Sequence, residues 1–275
     1  MNEGSYRSLL VLFGLVVACT ALSAVLGIYG IMPPWFTVCC MALSMYVKGG
    51  AAIWLSIFYR ASLMAIMLYG LYSLLARLWK THCFVSNLNA ASMATPPARL
   101  ARLIEDLGLS SHVMILFNEK PFAFCYGLLR PRICFSTSMA DALTDGQLKA
   151  VLSHEDHHRR RFDPLRTLLL EVIRSLLFFL PVVTELSDLI LTSFELKADR
   201  YAAQVAGRAS LAGALYQILS HPLNSHLPET LAIRGFSTND ARVAQLLGES
   251  QSTFRLSTRS LMVSSLLLFL VCILA

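Results

Sequence analysis

An almost unbroken apolar run from Leu9 to Met32, without a single charge and closed by Pro33-Pro34, constrains this chain more than any other feature. A helix of that length reaches across the roughly 30 Å of hydrocarbon in a bilayer. A cleaved signal peptide has an apolar core of only about 7–15 residues, so the run reads as a spanning helix. A second candidate covers 51–79, with Arg60 and Arg77 its only charges. Between the two, residues 35–46 are apolar but short, and Lys48-Gly49-Gly50 interrupts them. Composition agrees: 56% of the residues are hydrophobic and 15% charged, against about 25% charged in an ordinary soluble domain. The chain therefore reads as a multi-pass membrane protein.

Charge then sets the orientation. Arg77 at the end of the second run and Lys80, Arg99 and Arg102 after it form a basic stretch, whereas the loop after the first run carries almost no basic residue. By the positive-inside rule the central region faces the cytoplasm, and the net charge of +6 suits anionic lipid better than nucleic acid. Residues 1–80 are thus expected to form an N-terminal membrane region, 81–258 a cytoplasmic domain, and 259–275 a C-terminal membrane helix. Seven cysteines, an odd count without a CxxC pair, read as reduced thiols rather than a disulfide framework.

The central domain reads as α+β, mostly helical with a small sheet. Residues 98–107 form a short amphipathic helix closed by Gly108. Strands are expected at 112–117, 122–126 and 132–135, the last two a hairpin around Gly127 and Pro131. Thr144-Asp-Gly-Gln147 is a capping-box pattern that opens a helix running to about Arg160. Two buried or interfacial helices are expected across 167–194, divided at Pro181, with a membrane hairpin as the alternative, and a further helix over 193–206 ends at Gly207.

On the capped helix stands His154-Glu155-Asp156-His157-His158. Residues four apart share a helix face, so His154 and His158 can direct ring nitrogens at one ion, and Glu155 can reach a water bound to it. Such an ion, Zn2+ by preference for these donors, polarises the water while the carboxylate takes its proton. Glu195, 37 residues after His158, lies far enough along for a returning helix to bring it to the metal as third ligand. Asp199, one turn later on the same face, can accept a hydrogen bond from a ligand imidazole. A surface role for the two histidines is the bland alternative, and the pairing with Glu195 argues against it. His157 reads as a bystander. Asp163, before Pro164, suits either a turn or a partner to a ligand.

The hairpin suggests where a substrate lies, since proteases often bind an extended peptide along a sheet edge. Phe122, Phe124 and Ile133 mark the candidate edge, although both strands would serve equally well as cover for the core. Arg159-Arg160-Arg161 suits a helix C-terminus, and without interleaved aromatics it does not suggest nucleic-acid binding.

The stretch Pro121-Phe122, Gly127, Arg130-Pro131-Arg132-Ile133, then Leu148 through His154-Glu155-Asp156-His157-His158 to Asp163-Pro164 resembles the peptidase domain of the BlaR/MecR-type membrane metallopeptidases. Phe194-Glu195-Leu-Lys-Ala-Asp199 is similar to that family's glutamate-ligand helix, and Asp240-Ala-Arg242-Val243 is similar to an arginine-led segment of related gluzincins. The resemblance implies a gluzincin fold with one zinc ion on His154, His158 and Glu195, Glu155 as general base, and a location in a bacterial-type inner membrane. It also implies regulated proteolysis, with a transcriptional repressor or the chain itself as the protein substrate. The family's antibiotic receptors continue into a penicillin-binding sensor, which this sequence lacks, so a β-lactam signal is not expected. The Ala198-Asp199 ending looks more like the HtpX and Ste-type gluzincins, which do quality control or maturation at membranes. A metal-binding receptor without catalysis is the third reading; an intact Glu155 argues against it, because a structural site needs no base. Nothing in the sequence sets an oligomeric state.

Overall fold

The computed structural model describes residues 50–90, 95–119, 121–220, 242 and 256–274. The expected span 9–32 and the short apolar piece 35–48 lie outside them.

Helix α1 (Gly50–Ala90) covers the expected second span. Among the described residues, however, no helix is long and apolar enough to cross a membrane. The described part of α1 interleaves its apolar residues with Tyr69, Gly70, Tyr72, Ser73, Arg77 and Lys80, which dilutes the run. The C-terminal helix, α8 (Thr258–Leu274), has 17 residues, short of a full span.

The chain divides into two compact units. One takes residues 1–75, 170–190 and 253–275. There the backbone N–H of Val182 donates to Ser264 Oγ at 3.0 Å, and that of Ser257 donates to Glu185 at 2.7 Å. These side chains supply partners to amides that their own helix starts leave open.

The other unit, residues 76–169 and 191–252, carries the α+β core. Helix α2 (Ala98–Asp106) buries Leu100 and Ile104 and turns at Gly108, whose φ of +67° suits glycine. Strands β1 (Val113–Leu116), β2 (Ala123–Tyr126) and β3 (Arg132–Ser136) form one sheet in the order β1-β3-β2. β2 and β3 are the expected hairpin, pairing Ala123 with Phe135 and Tyr126 with Arg132, while β1 runs parallel to β3. Gly127 enters the turn at φ +89°, where a Cβ would stand 2.8 Å from Arg130 O.

Because β3 is the middle strand, Ile133 is fully buried and is no edge residue, which corrects that expectation. Phe124, on edge strand β2, is also fully buried, against Met114, Tyr126 and Cys134, with Phe122 packed beside them. Cys134 pairs with Phe124 and Cys125 with Ile133, so alternation sends the two thiols to opposite faces and excludes a bridge between them.

Helix α3 (Thr137–Ala142) leads to α4 (Asp145–Arg161). The capping box on α4 forms as read: Thr144 N–H donates to Gln147 Oε1 at 2.9 Å, and Gln147 N–H to Thr144 Oγ1 at 3.4 Å. Arg99 fixes the same end through Asp145 and through Leu143 O at 2.6 Å. Leu148, Ala150, Val151 and Leu152 then bury fully in the main core, with Ile115, Phe135 and Leu211. α4 stops at Phe162, which adopts the left-handed conformation at φ 54°. Asp163 and Pro164 open helix α5 (Asp163–Leu176), where proline's fixed φ suits a first turn.

Helix α6 (Pro181–Ala206) is one continuous element, so the separate helix expected over 193–206 is its second half. Pro181 sits at its start, where the missing N–H costs nothing. Gly207, at φ +88°, ends it, and α7 (Arg208–Ser220), which the sequence reading did not anticipate, packs on α4.

Candidate metal centre

Two elements carry the centre. The third and fourth turns of α4 bring in His154, Glu155 and His158, all buried. The middle of α6 brings in Glu195 and Asp199, also buried. His154, His158 and Glu195 each offer a ligand atom, and the three atoms lie within 4.8 Å of one another. The Nε2 atoms of the two histidines are 3.1 Å apart. Glu195 Oε2 is 3.5 Å from the first, and its Oε1 is 3.6 Å from the second.

The outward nitrogens decide what the inward ones can do. His158 Nδ1 donates to Asp163 Oδ2 at 2.8 Å, and His154 Nδ1 lies 3.0 Å from Asp199 Oδ1. A carboxylate can only accept, so Asp163 and Asp199 favour a proton on each Nδ1, the arrangement in which Nε2 could ligate a cation. Two lone pairs and a carboxylate this close repel one another unless positive charge stands among them. Donors at zinc's usual bond lengths, placed tetrahedrally, sit about 3.3 Å from each other, close to the separations found here. The donor set and its spacing fit a divalent cation.

The charges around the centre argue in the same direction. Burial alone would lower the His158 imidazole, but Glu195, Asp163 and Glu155 outweigh it and raise its pKa to about 9. Burial would raise Glu195, but His158, His154 and Arg242 hold its carboxyl down at about 2. Glu155 moves the other way: burial raises it above the ordinary carboxylate range, Glu195 adds to the rise, and the two ligand histidines oppose it. Its Oε2 is buried without a hydrogen-bond partner, as expected of a carboxylate whose partner would be a bound water or a substrate.

Each ligand histidine thus rests on an aspartate, and each aspartate on an arginine. Arg242 is fully buried and grips Asp199 through two bonds, at 2.7 and 2.6 Å, while its third nitrogen is 3.4 Å from Glu195. Arg166 Nη1 donates to Asp163 Oδ1 at 2.9 Å. Asp163 had two equal readings from sequence; it is the partner of His158 and also begins a helix. Arg166 carried no signal in the sequence, and Arg242 only its resemblance to a downstream segment. His157 turns away from the cluster toward the Tyr201 ring, 5.5 Å off, and burial followed by the nearby His158 lowers it to about 4. Of the three proposed substrate-edge residues none joins the centre. The residue of β2 that does is Cys125, which lines a pocket with His158, Asp163, Pro164, Thr167, Leu191, Phe194 and Glu195.

The sequence of this chain matches the model of the BlaR1 peptidase M56 family over residues 41–212, well over half its length and the whole metal centre except Arg242. The chain belongs to the BlaR1 peptidase M56 family. Peptidases of this family depend on a metal and are typically membrane-associated. No curated protein matches the chain.

Proposed function

We propose that this M56 peptidase is a membrane-anchored zinc endopeptidase that cuts peptide bonds of a cytoplasmic protein. The observation that carries the proposal is the convergence of His154, His158 and Glu195 beside Glu155, whose buried carboxylate has one oxygen without a partner. Zinc, when bound, supplies Lewis-acid polarisation of a water and of the scissile carbonyl. Glu155, its pKa raised by burial, would accept the proton of that water and deliver it to the leaving amine. Asp163 and Asp199 hold the imidazoles in the tautomer that leaves Nε2 free to ligate. β2 is an edge strand packed against α4, which suits it to receive an extended substrate through its backbone.

Anchoring is supported by the run Leu9 to Met32 and by the exposed apolar side chains of α1, among them Met64, Leu68, Leu75 and Trp79. Regulated proteolysis, with a transcriptional repressor or the chain itself as substrate, is the biological reading, and the basic flank after α1 favours a cytoplasmic face in an inner membrane.

The test compares the detergent-purified protein with Glu155→Gln, measuring bound zinc and cleavage of casein. We expect about one zinc per chain in both proteins, with cleavage falling by at least about a thousandfold in the variant, as loss of both base and acid function implies. Equal cleavage by the two would remove Glu155 from the chemistry, and a wild type without zinc would end the metal reading.

A further inference from the structure

The two His–Asp–Arg chains differ in kind. Arg242 is fully buried and bidentate. Arg166 is about one-third exposed at 32%, and besides its bond to Asp163 it touches an aromatic ring. Its guanidinium carbon lies 4.2 Å from the centroid of the Phe194 ring, in range for a cation–π interaction. Phe194 is buried and directly precedes Glu195 in α6. One planar group therefore touches the aspartate that orients His158 and the side chain next to the third ligand.

We propose that Arg166 is a positioning residue that braces two ligands on different helices at once, His158 through Asp163 and Glu195 through Phe194. This rests on the metal centre proposed above and adds to it a residue outside the HExxH and glutamate motifs. The chemistry asks for such a brace. A carboxylate with one hydrogen bond from an imidazole still rotates about its own axis; a second donor on its other oxygen fixes that rotation, and with it the ring plane of His158. On α6, the carboxylate of Glu195 is aimed by the helix, and Phe194, pressed between its neighbours and the guanidinium, keeps that turn in register. Lysine can replace the charge opposite Asp163 but not the flat face over Phe194, so the two arms are separable by mutation.

The experiment uses the full-length protein in detergent, loaded with zinc, and follows release of the metal to an excess of a chromogenic chelator. Arg166→Ala, Arg166→Lys and Phe194→Leu are compared with wild type, with the Tm of each metal-free protein measured alongside. We expect Arg166→Ala to release zinc about tenfold faster, in the range usual for loss of a group behind a ligand. Arg166→Lys should fall between it and wild type, and Phe194→Leu should also release faster. The double variant Arg166→Ala/Phe194→Leu should be less than multiplicative, because both changes cut one arm. Release within twofold of wild type in Arg166→Ala overturns the proposal, whether or not the metal-free Tm has fallen. If Arg166→Ala does not fold, Arg166→Lys and Phe194→Leu decide alone: faster release in both supports the brace, and wild-type release in both overturns it. A wild type that holds zinc but leaves casein intact sinks the peptidase reading and leaves this one standing, whereas a wild type without zinc sinks both.

Discussion

A guanidinium with no exposed surface, as at Arg242, has lost its hydration and must recover it from the protein. Here two bonds to Asp199 and a third nitrogen near Glu195 do so, and these carboxylates raise its pKa although burial acts to lower it. Removing it leaves Asp199 and Glu195 buried with less compensation. Breaking one side of a buried pair costs about 3–5 kcal/mol, so Arg242→Ala should lower the Tm by on the order of 10 °C. Arg242→Lys should recover little of that, since an ammonium cannot meet both oxygens of Asp199 in the plane of its carboxylate. A thermal-shift series on the three proteins checks this, and a Lys variant as stable as wild type would show that charge alone matters. At this scale the sequence disclosed whatever the spacing within one helix encodes: His154 and His158 at four residues, and Asp199 one turn beyond Glu195. It did not disclose the pairing of Asp199 with a residue 43 positions away, because that contact is made by tertiary packing. Nor could Asp163 be assigned, since the same residue before a proline serves a helix start and a ligand partner equally well, and in the structure it serves both.

Elements were legible where a local signal sets them. The capping box opens α4 at Asp145, and the glycines at 108, 127 and 207 each mark a left-handed turn at the end of an element. Strand order was not legible. The hairpin could be read from Gly127 and Pro131, but no local pattern tells that a third strand, β1, pairs in parallel on the far side of β3, and this pairing buries Ile133. The fate of Cys134 follows from the same topology. In the middle strand it is fully buried, and desolvation pushes its thiol up to about 12 from an ordinary 9. The sign is that of a group whose neutral form the fold favours. The contribution is fully present below pH 9, and it declines as pH rises from 9 toward 12, where the unfolded thiol ionises and the folded one does not. A thiol held at about 12 instead of 9 carries roughly a thousandfold less thiolate at a given pH. Iodoacetamide at pH 8, followed by peptide mapping, should therefore modify Cys134 only in denaturant. Labelling in the folded protein at the denatured rate would mean that the β1–β3 pairing opens readily.

At the scale of the whole molecule, metal chemistry and membrane attachment draw on different parts of the sequence. Among the described residues the metal centre draws its ligands and their partners from residues 154–242, on α4, α5 and α6 and at Arg242. No described helix is long and apolar enough to cross a bilayer, and the spanning anchor proposed above rests on the uncharged run Leu9 to Met32. A charge placed at the centre of such a run costs roughly 2.5–3.5 kcal/mol by insertion scales. Two of them, Ala18→Arg and Ala21→Arg together, should cost enough to prevent insertion. After an alkaline carbonate wash we expect wild type in the membrane pellet and the double variant largely in the supernatant or degraded. If the double variant stays in the pellet, attachment belongs instead to apolar surfaces such as that of α1, where Met64, Leu68, Leu75 and Trp79 are exposed. Such a helix would lie along the bilayer rather than through it, and salt would then weaken its hold through Arg77 and Lys80.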